Sequence, residues 1–350
     1  MRQNPRVNII VPVYNVAKYL PEFLEAMIQQ TFQDFDVWLV EDKSTDNSRE
    51  ILLDYQERYG NKFHVICNER NRGLCQTRNI GLNACNTKGE YVILLDSDDY
   101  VAVDFLERMV TEADRYHADI TICGLERFDD STGKVICREM IHNPEGVITD
   151  LEHFSLLGYL NPVVWNKLYR WKTVGDTRFT TIKRSEDTVF FFTLLPRVRS
   201  MHFINEVLYH YRVRSSSLSG AITEEIYYSM LDGFAQTKKY FKNHKKAYGR
   251  FMDLFTVQMF IRCGLGGACR LSFRNLRKTH YYVSYTKKYM DEYFKEWRRN
   301  PYLSFTGFWK KKTYEKALCM AAFLYKVNLF GLFVYGYWFV SMVLKKDMRA

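Results

Sequence analysis

The first 125 residues alternate short, β-rich apolar runs with amphipathic stretches, and that strict alternation constrains the fold more than any other property of the chain. Val7–Val11, Phe35–Val40, Phe63–Cys67, Tyr91–Leu95 and Asp119–Cys123 read as strands. Val16–Gln30, Ser48–Tyr59, Leu74–Asn86 and Val103–Tyr116 read as helices. Strands separated by helices pair in parallel through right-handed crossovers, so an α/β fold is expected, with a mostly parallel sheet covered on both faces. A chain of 350 residues with 47% hydrophobic content can bury the core such a sheet needs.

In open sheets of this kind ligands bind beyond the carboxyl ends of the strands. Those ends are polar and acidic here: Pro12-Val13-Tyr14-Asn15 after the first strand, Glu41-Asp42-Lys43-Ser44-Thr45-Asp46 after the second, Asn68 through Gly73 after the third, and Asp96-Ser97-Asp98-Asp99 after the fourth. Asp96 and Asp98, two apart in an extended loop, fall on one side and can converge on a divalent cation that bridges pyrophosphate oxygens. A solvated acidic turn fits the same residues. Tyr14 offers an aromatic face for a nucleobase and Asp42 an acceptor for a ring N–H, although an interface tyrosine and a turn aspartate remain open. Arg78 can meet an aspartate or a phosphate.

Glu186-Asp187 precedes the apolar run Val189–Leu195 and fits either a helix N-terminus or a general base that takes a proton from an acceptor hydroxyl. Leu208–Arg214 alternates so that His210, Arg212 and Arg214 share one face of a strand, within possible reach of a metal or pyrophosphate. Trp165-Asn166-Lys167 can line a sugar or lipid-phosphate pocket, or can be a buried tryptophan beside a snorkelling lysine. Residues 125–160 are less regular, with turn signals at Asp129–Gly133 and Asn143–Gly146, and read as a variable, substrate-facing insertion.

Charge is divided along the chain. Up to residue 237 there are 26 basic and 34 acidic residues; beyond it there are 24 and 6. So basic a back half implies an anionic partner or surface. Ala317–Leu344 carries a single charge, Lys326, and Leu329–Leu344 none, followed by Lys345-Lys346. That uncharged stretch is shorter than the roughly 20 residues a spanning helix requires. Docking on a membrane surface is expected, with a core helix and a span as the alternatives. Lys310-Lys311-Lys312 and the absence of any nucleic-acid motif favour anionic lipid over nucleic acid. The eight cysteines form no metal or dense disulfide spacing, which fits reduced thiols, and the polar Met1–Arg6 leads straight into a strand without a secretion signal.

The ordered motifs resemble those of the inverting family-two glycosyltransferases with the glycosyltransferase-A fold, particularly bacterial surface-polysaccharide enzymes. They are Ile10–Asn15, Glu41–Ser48, Asn71-Arg72-Gly73 with Arg78-Asn79-Ile80-Gly81, Asp96–Asp99, Trp165–Leu168, Glu186-Asp187, and Tyr211-Arg212 followed by Ser215–Ser219. The resemblance covers about residues 5–220 and implies a Rossmann-like, mostly parallel sheet with helices on both faces. It implies that Pro12, Tyr14 and Asp42 hold uridine, that Asp96 faces the ribose and Asp98 binds Mn2+ or Mg2+, and that Asp187, beside Glu186, is the base. Arg78, Ser97, Trp165, Lys167 and Arg212 complete the expected donor contacts, with His210 as a further metal contact. Glu41 departs from the aspartate usual in the family.

The expected organisation is a catalytic domain over 1–220, a basic helical domain over 221–310 and an apolar, aromatic docking tail over 311–350. The expected activity is transfer from a UDP-sugar to a saccharide acceptor, polyprenyl-linked or polymeric, at the inner face of the cell membrane, with no nucleic acid involved. Transfer directly to polyprenyl phosphate and a non-catalytic nucleotide- or glycan-binding module remain the alternatives.

Overall fold

The computed structural model describes residues 5–85, 89–151, 154–214, 222–243, 245–272 and 275–343. The Ser215–Ser219 run and Lys345-Lys346 lie outside the described residues. The chain divides into two compact units, one formed by 1–153, 161–181 and 186–217, the other by 154–160, 182–185 and 218–350.

The first unit follows the alternation in the sequence. Its elements are β1 (Val7–Val13), α1 (Leu20–Ile28), β2 (Phe35–Glu41), α2 (Ser48–Tyr59), β3 (Phe63–Cys67), α3 (Leu74–Ala84), β4 (Tyr91–Leu94), β5 (Tyr100–Val101), α4 (Phe105–Tyr116), β6 (Ile120–Asp129), β7 (Val135–Glu139), β8 (Val147–Ile148), β9 (Lys167–Arg170), α5 (Trp171–Val174), α6 (Glu186–Leu194) and β10 (Met201–Val213). The sheet order is β3-β2-β1-β4-β9-β6-β10-β5, with β7 on β6 and β8 on β10. Strands β3, β2, β1 and β4 are parallel, and every residue of β1 and β4 is buried, as strands covered on both faces must be. The order turns back between β1 and β4, where an open α/β sheet leaves its ligand crevice.

Three details depart from the simple alternation. β9 inserts antiparallel between β4 and β6, which joins two parallel groups of strands into one sheet. β6 runs well past Cys123 because β10 pairs along it, and within residues 125–160 it turns back as the β6–β7 hairpin. The hairpin turn is shaped by Asp129, whose carboxylate accepts hydrogen bonds from the Ser131 and Thr132 amides and hydroxyls. Helix α1 begins at Leu20 rather than Val16, since residues 15–17 are tied instead to the loop after β2.

The second unit is helical: α7 (Glu224–Asn243), α8 (Lys245–Met259), α9 (Ala268–Leu271), α10 (Leu276–Tyr293), α11 (Thr313–Lys326) and α12 (Phe330–Val343). A π-helical stretch, Phe260–Gly267, joins α8 to α9, and the Tyr325 hydroxyl donates to the Gly264 carbonyl there. None of the eight cysteines is in a disulfide.

Candidate active site

The loops after β1 and β2 are stitched to each other. The Asn15 and Val16 amides donate to the Ser44 and Ser48 hydroxyls, Ala17 N–H donates to Asp46, and the Thr45 amide donates to the Asn15 side chain. Asn15 and Lys43 both sit at positive φ, 53° and 62°, which turns the chain sharply at the two strand ends. The result leaves Tyr14 47% exposed at the edge of the sheet, whereas Asp42 lies buried.

Asp42 organises the loop after β3. One carboxylate oxygen accepts from the Asn68 side chain and the Arg72 amide, and the other from the Gly73 amide, each at 2.8 Å. A carboxylate has about four acceptor sites, so one remains on the second oxygen for an incoming N–H. The Ser97 hydroxyl donates to the Pro12 carbonyl at 2.8 Å, closing β4 onto β1 across the point where strand order reverses.

Arg78, on the buried face of α3, joins the donor side to the base side. Its guanidinium donates to Asp96 and to Asp187, both at 2.8 Å, and lies 3.6 Å from Glu186. Burial alone would depress the Arg78 pKa, but Asp187, Asp96 and Glu186 reverse this and keep it charged. Asn79, the next residue, exchanges two hydrogen bonds with the backbone of Phe179, which stacks on Phe190 of α6 at 4.1 Å. Helix α6 is thereby held with Glu186 and Asp187 in its first turn, facing Arg78. The helix-terminus reading and the ion-pair reading of this dipeptide describe the same geometry. Burial and the neighbouring Asp187 push the Glu186 carboxyl up to about 7. Ser185, immediately before the helix, has φ 64°, a conformation non-glycine residues seldom adopt.

The acidic loop after β4 is divided in use. Asp96 faces Arg78. Asp98 pairs with Arg214, and burial together with Asp96 holds its carboxyl above the usual carboxylate range. Asp99 is a residue that sequence reasoning passed over. Its carboxylate accepts from the Tyr209 hydroxyl at 2.6 Å and the Arg212 amide at 2.8 Å, pinning β10 beside the loop. The available signal was adjacency: neighbours in an extended loop point opposite ways, so Asp98 and Asp99 cannot share a role.

The structure places the β10 and β9 candidates as follows. Arg212 donates to the Asp98 carbonyl, to Asp130 and to Glu22, and is buried. His210 stacks on Tyr100 at 4.4 Å with Nδ1 3.0 Å from Glu126. Trp165 is buried and stacks on Tyr209 and Tyr211. Lys167 does not snorkel: it is fully buried, and its ammonium donates to the carbonyls of Asn161 and Val163 and to the Asn166 side chain. Its position in a strand enclosed between β4 and β6 explains the difference, because no path to solvent exists for the side chain.

Among the described residues, no three His, Cys, Asp or Glu side chains form a closed metal cage. Magnesium or manganese on a nucleotide needs no such cage, being held by one or two carboxylates together with phosphate oxygens and water. Asp96 and Asp98 each use one oxygen on an arginine, and their crowded negative charge fits a cation shared with a diphosphate. A carboxylate on His210 Nδ1 fixes that nitrogen as the N–H and leaves Nε2 with its lone pair, the arrangement that metal-binding histidines use.

Residues 8–170 match the model of Glycosyl transferase family 2. The chain is 28% identical over 280 residues to glycosyltransferase GlyA of Streptococcus pneumoniae, which covers 78% of this chain and 40% of that protein. It is 30% identical over 222 residues to glycosyltransferase GlyG of the same organism, covering 61% of this chain and 72% of the relative. Further relatives are named for teichoic and teichuronic acid biosynthesis. Among solved structures, residues 1–349 of S. aureus TarS in complex with UDP-GlcNAc superpose with a TM-score of 0.66 at 19% identity, covering 98% of this chain and 93% of that one. At that identity the likeness speaks for the fold. The chain belongs to glycosyltransferase family 2 and has the glycosyltransferase-A fold.

Proposed function

We propose that the protein transfers a sugar, with inversion at the anomeric carbon, from a UDP-sugar to a lipid-linked or polymeric glycan acceptor in bacterial surface-polysaccharide biosynthesis. The observation that carries this reading is the Arg78 bridge, which ties the strand-end loop suited to a nucleotide sugar to the carboxylate suited to a base, at 2.8 Å on each side.

In this reading uracil stacks on the exposed Tyr14 ring, beside Pro12, and its ring N–H reaches the acceptor site left on Asp42. Asp96 and Ser97 lie on the ribose side. Asp98, with Asp96 and His210 Nε2, would hold Mn2+ or Mg2+, which when bound neutralises charge on the departing diphosphate. Asp187 takes the proton of the acceptor hydroxyl as its oxygen bonds to the anomeric carbon and the bond to UDP breaks. Arg78 fixes the Asp187 carboxylate and keeps it ionised. Glu186 adds like charge that favours proton uptake. Trp165, Lys167 and Arg212, enclosed as they are, shape the site from behind.

Asp187→Asn tests the assignment. Its turnover with the best UDP-sugar is expected to fall by about 10²- to 10⁴-fold, the usual contribution of a positioned base, while calorimetry shows unchanged UDP affinity. Near-normal turnover with intact donor binding would remove Asp187 as the base.

A further inference from the structure

Two arginines at the end of β10 stand beside the acidic loop, and the structure gives them unlike surroundings. Arg212 is committed: its amide is held by Asp99, Nε by the Asp98 carbonyl, one terminal nitrogen by Asp130 and the other by Glu22. Every direction of its guanidinium fork is occupied, so moving it would leave buried acceptors without donors. Arg214 is different. It pairs with Asp98 and lies 5.1 Å from the Tyr19 ring centroid, and its Nε is buried with no hydrogen-bond partner.

A buried donor without an acceptor is costly, and it is aimed at a position where an acceptor group would be stabilised. Asp98 is also the carboxylate the metal needs. A guanidinium and a divalent cation compete for the same oxygens, because each neutralises them best when alone with them. Arg214 therefore occupies, through its guanidinium, the counter-charge position on Asp98 that a cation takes when it arrives with a diphosphate. Once displaced, the planar fork is suited to two phosphate oxygens, as Arg–phosphate pairs characteristically are.

We propose that Arg214 is an exchangeable counter-ion of the donor site: it neutralises Asp98 before the nucleotide sugar binds, then yields Asp98 to the metal and moves to the diphosphate. This rests on the UDP-sugar reading given above. It makes Arg214, rather than Arg212, the β10 side chain that touches the donor.

The two halves of the exchange predict effects of opposite sign for Arg214→Gln. Mn2+ alone, followed by water-proton relaxation, is expected to bind the variant several-fold more tightly than the wild type, since nothing competes for Asp98. UDP in saturating Mn2+, followed by calorimetry, is expected to bind at least about tenfold more weakly, the loss of one or two charge-assisted hydrogen bonds. Uridine, which lacks phosphates, should bind both proteins equally, and Arg214→Lys should recover part of the UDP affinity. Unchanged Mn2+ and UDP affinities in a folded Arg214→Gln protein would overturn the exchange while wild-type binding of UDP with Mn2+ leaves the donor reading standing. Failure of the wild type to bind UDP with Mn2+ would instead overturn the donor reading and the exchange with it. Weaker binding of both ligands would assign Arg214 an ordinary structural role and overturn the exchange as well.

Discussion

Arg78 faces three carboxylates with one guanidinium, so the balance of charge around it depends on a proton. That proton sits on Glu186, whose carboxyl is raised from an ordinary 4.5 to about 7. A carboxyl raised in the folded chain contributes stability that is fully present below its unfolded value and is lost as pH climbs through the folded one. From pH 4.5 to 7 the native protein should therefore lose stability on this account. Glu186→Gln, which mimics the protonated form, removes the loss. Urea unfolding is expected to show the variant close to wild type at pH 5 and roughly 2 kcal/mol more stable at pH 8. Equal stability of the two proteins at pH 8 would show that Glu186 is ionised without penalty. Asp42 shows a second residue-scale division of labour, holding three donors of the β3 loop while keeping one acceptor position.

At the scale of elements, the spacing of α3 from the sheet sets where Arg78 points. Gly81 makes that spacing possible: a Cβ there would lie 2.4 Å from Ile10 Cγ2 and 3.3 Å from Val40 Cγ2, on β1 and β2. Gly81→Ala gains about 1 kcal/mol of helix propensity but overpacks the contact by about 1–3 kcal/mol. A net loss of about 1 kcal/mol is expected in thermal unfolding, and catalysis should fall further than stability, since α3 carries Arg78 outward with it. A variant as stable and as active as wild type would show that Ile10 gives way freely. The clamp between Asn79 and Phe179 acts in the same direction, fixing α6 against α3 by two backbone-directed hydrogen bonds.

For the whole molecule, the question is what the basic, aromatic C-terminal region meets. No single helix among the described residues is long and apolar enough to cross a membrane; α11 and the start of α12 pass together on composition but are bent by 120°. The outward side chains are apolar beside a lysine run: Trp309 is 87% exposed, Leu332 61% and Phe333 58%, next to Lys310-Lys311-Lys312. Exposed aromatics with clustered lysines suit the interface of an anionic bilayer, where each lysine contributes about 1 kcal/mol. The full chain is expected to sediment with phosphatidylglycerol-containing vesicles and less so in high salt. Replacing Leu332 and Phe333 together by Glu should reduce the bound fraction about tenfold, on the loss of roughly 1.5–3 kcal/mol per buried apolar side chain. Undiminished sedimentation of that variant would exclude this surface.

Much of the sheet was legible in the residues because local pattern decides it: β1, β2, β3 and α2 begin within a residue of where their apolar runs begin, and the acidic and aromatic strand ends follow from the direction of the strands. The motifs, being contiguous, were legible for the same reason. What only the tertiary structure decided is pairing between residues distant in the chain. The antiparallel entry of β9, the 2.8 Å bridges from Arg78 to residues 18 and 109 positions away, and the unlike surroundings of Arg212 and Arg214 carry no local signature. A guanidinium's partner is set by which carboxylates share its low-dielectric space, and that space exists only once helices α3 and α6 have closed over the sheet.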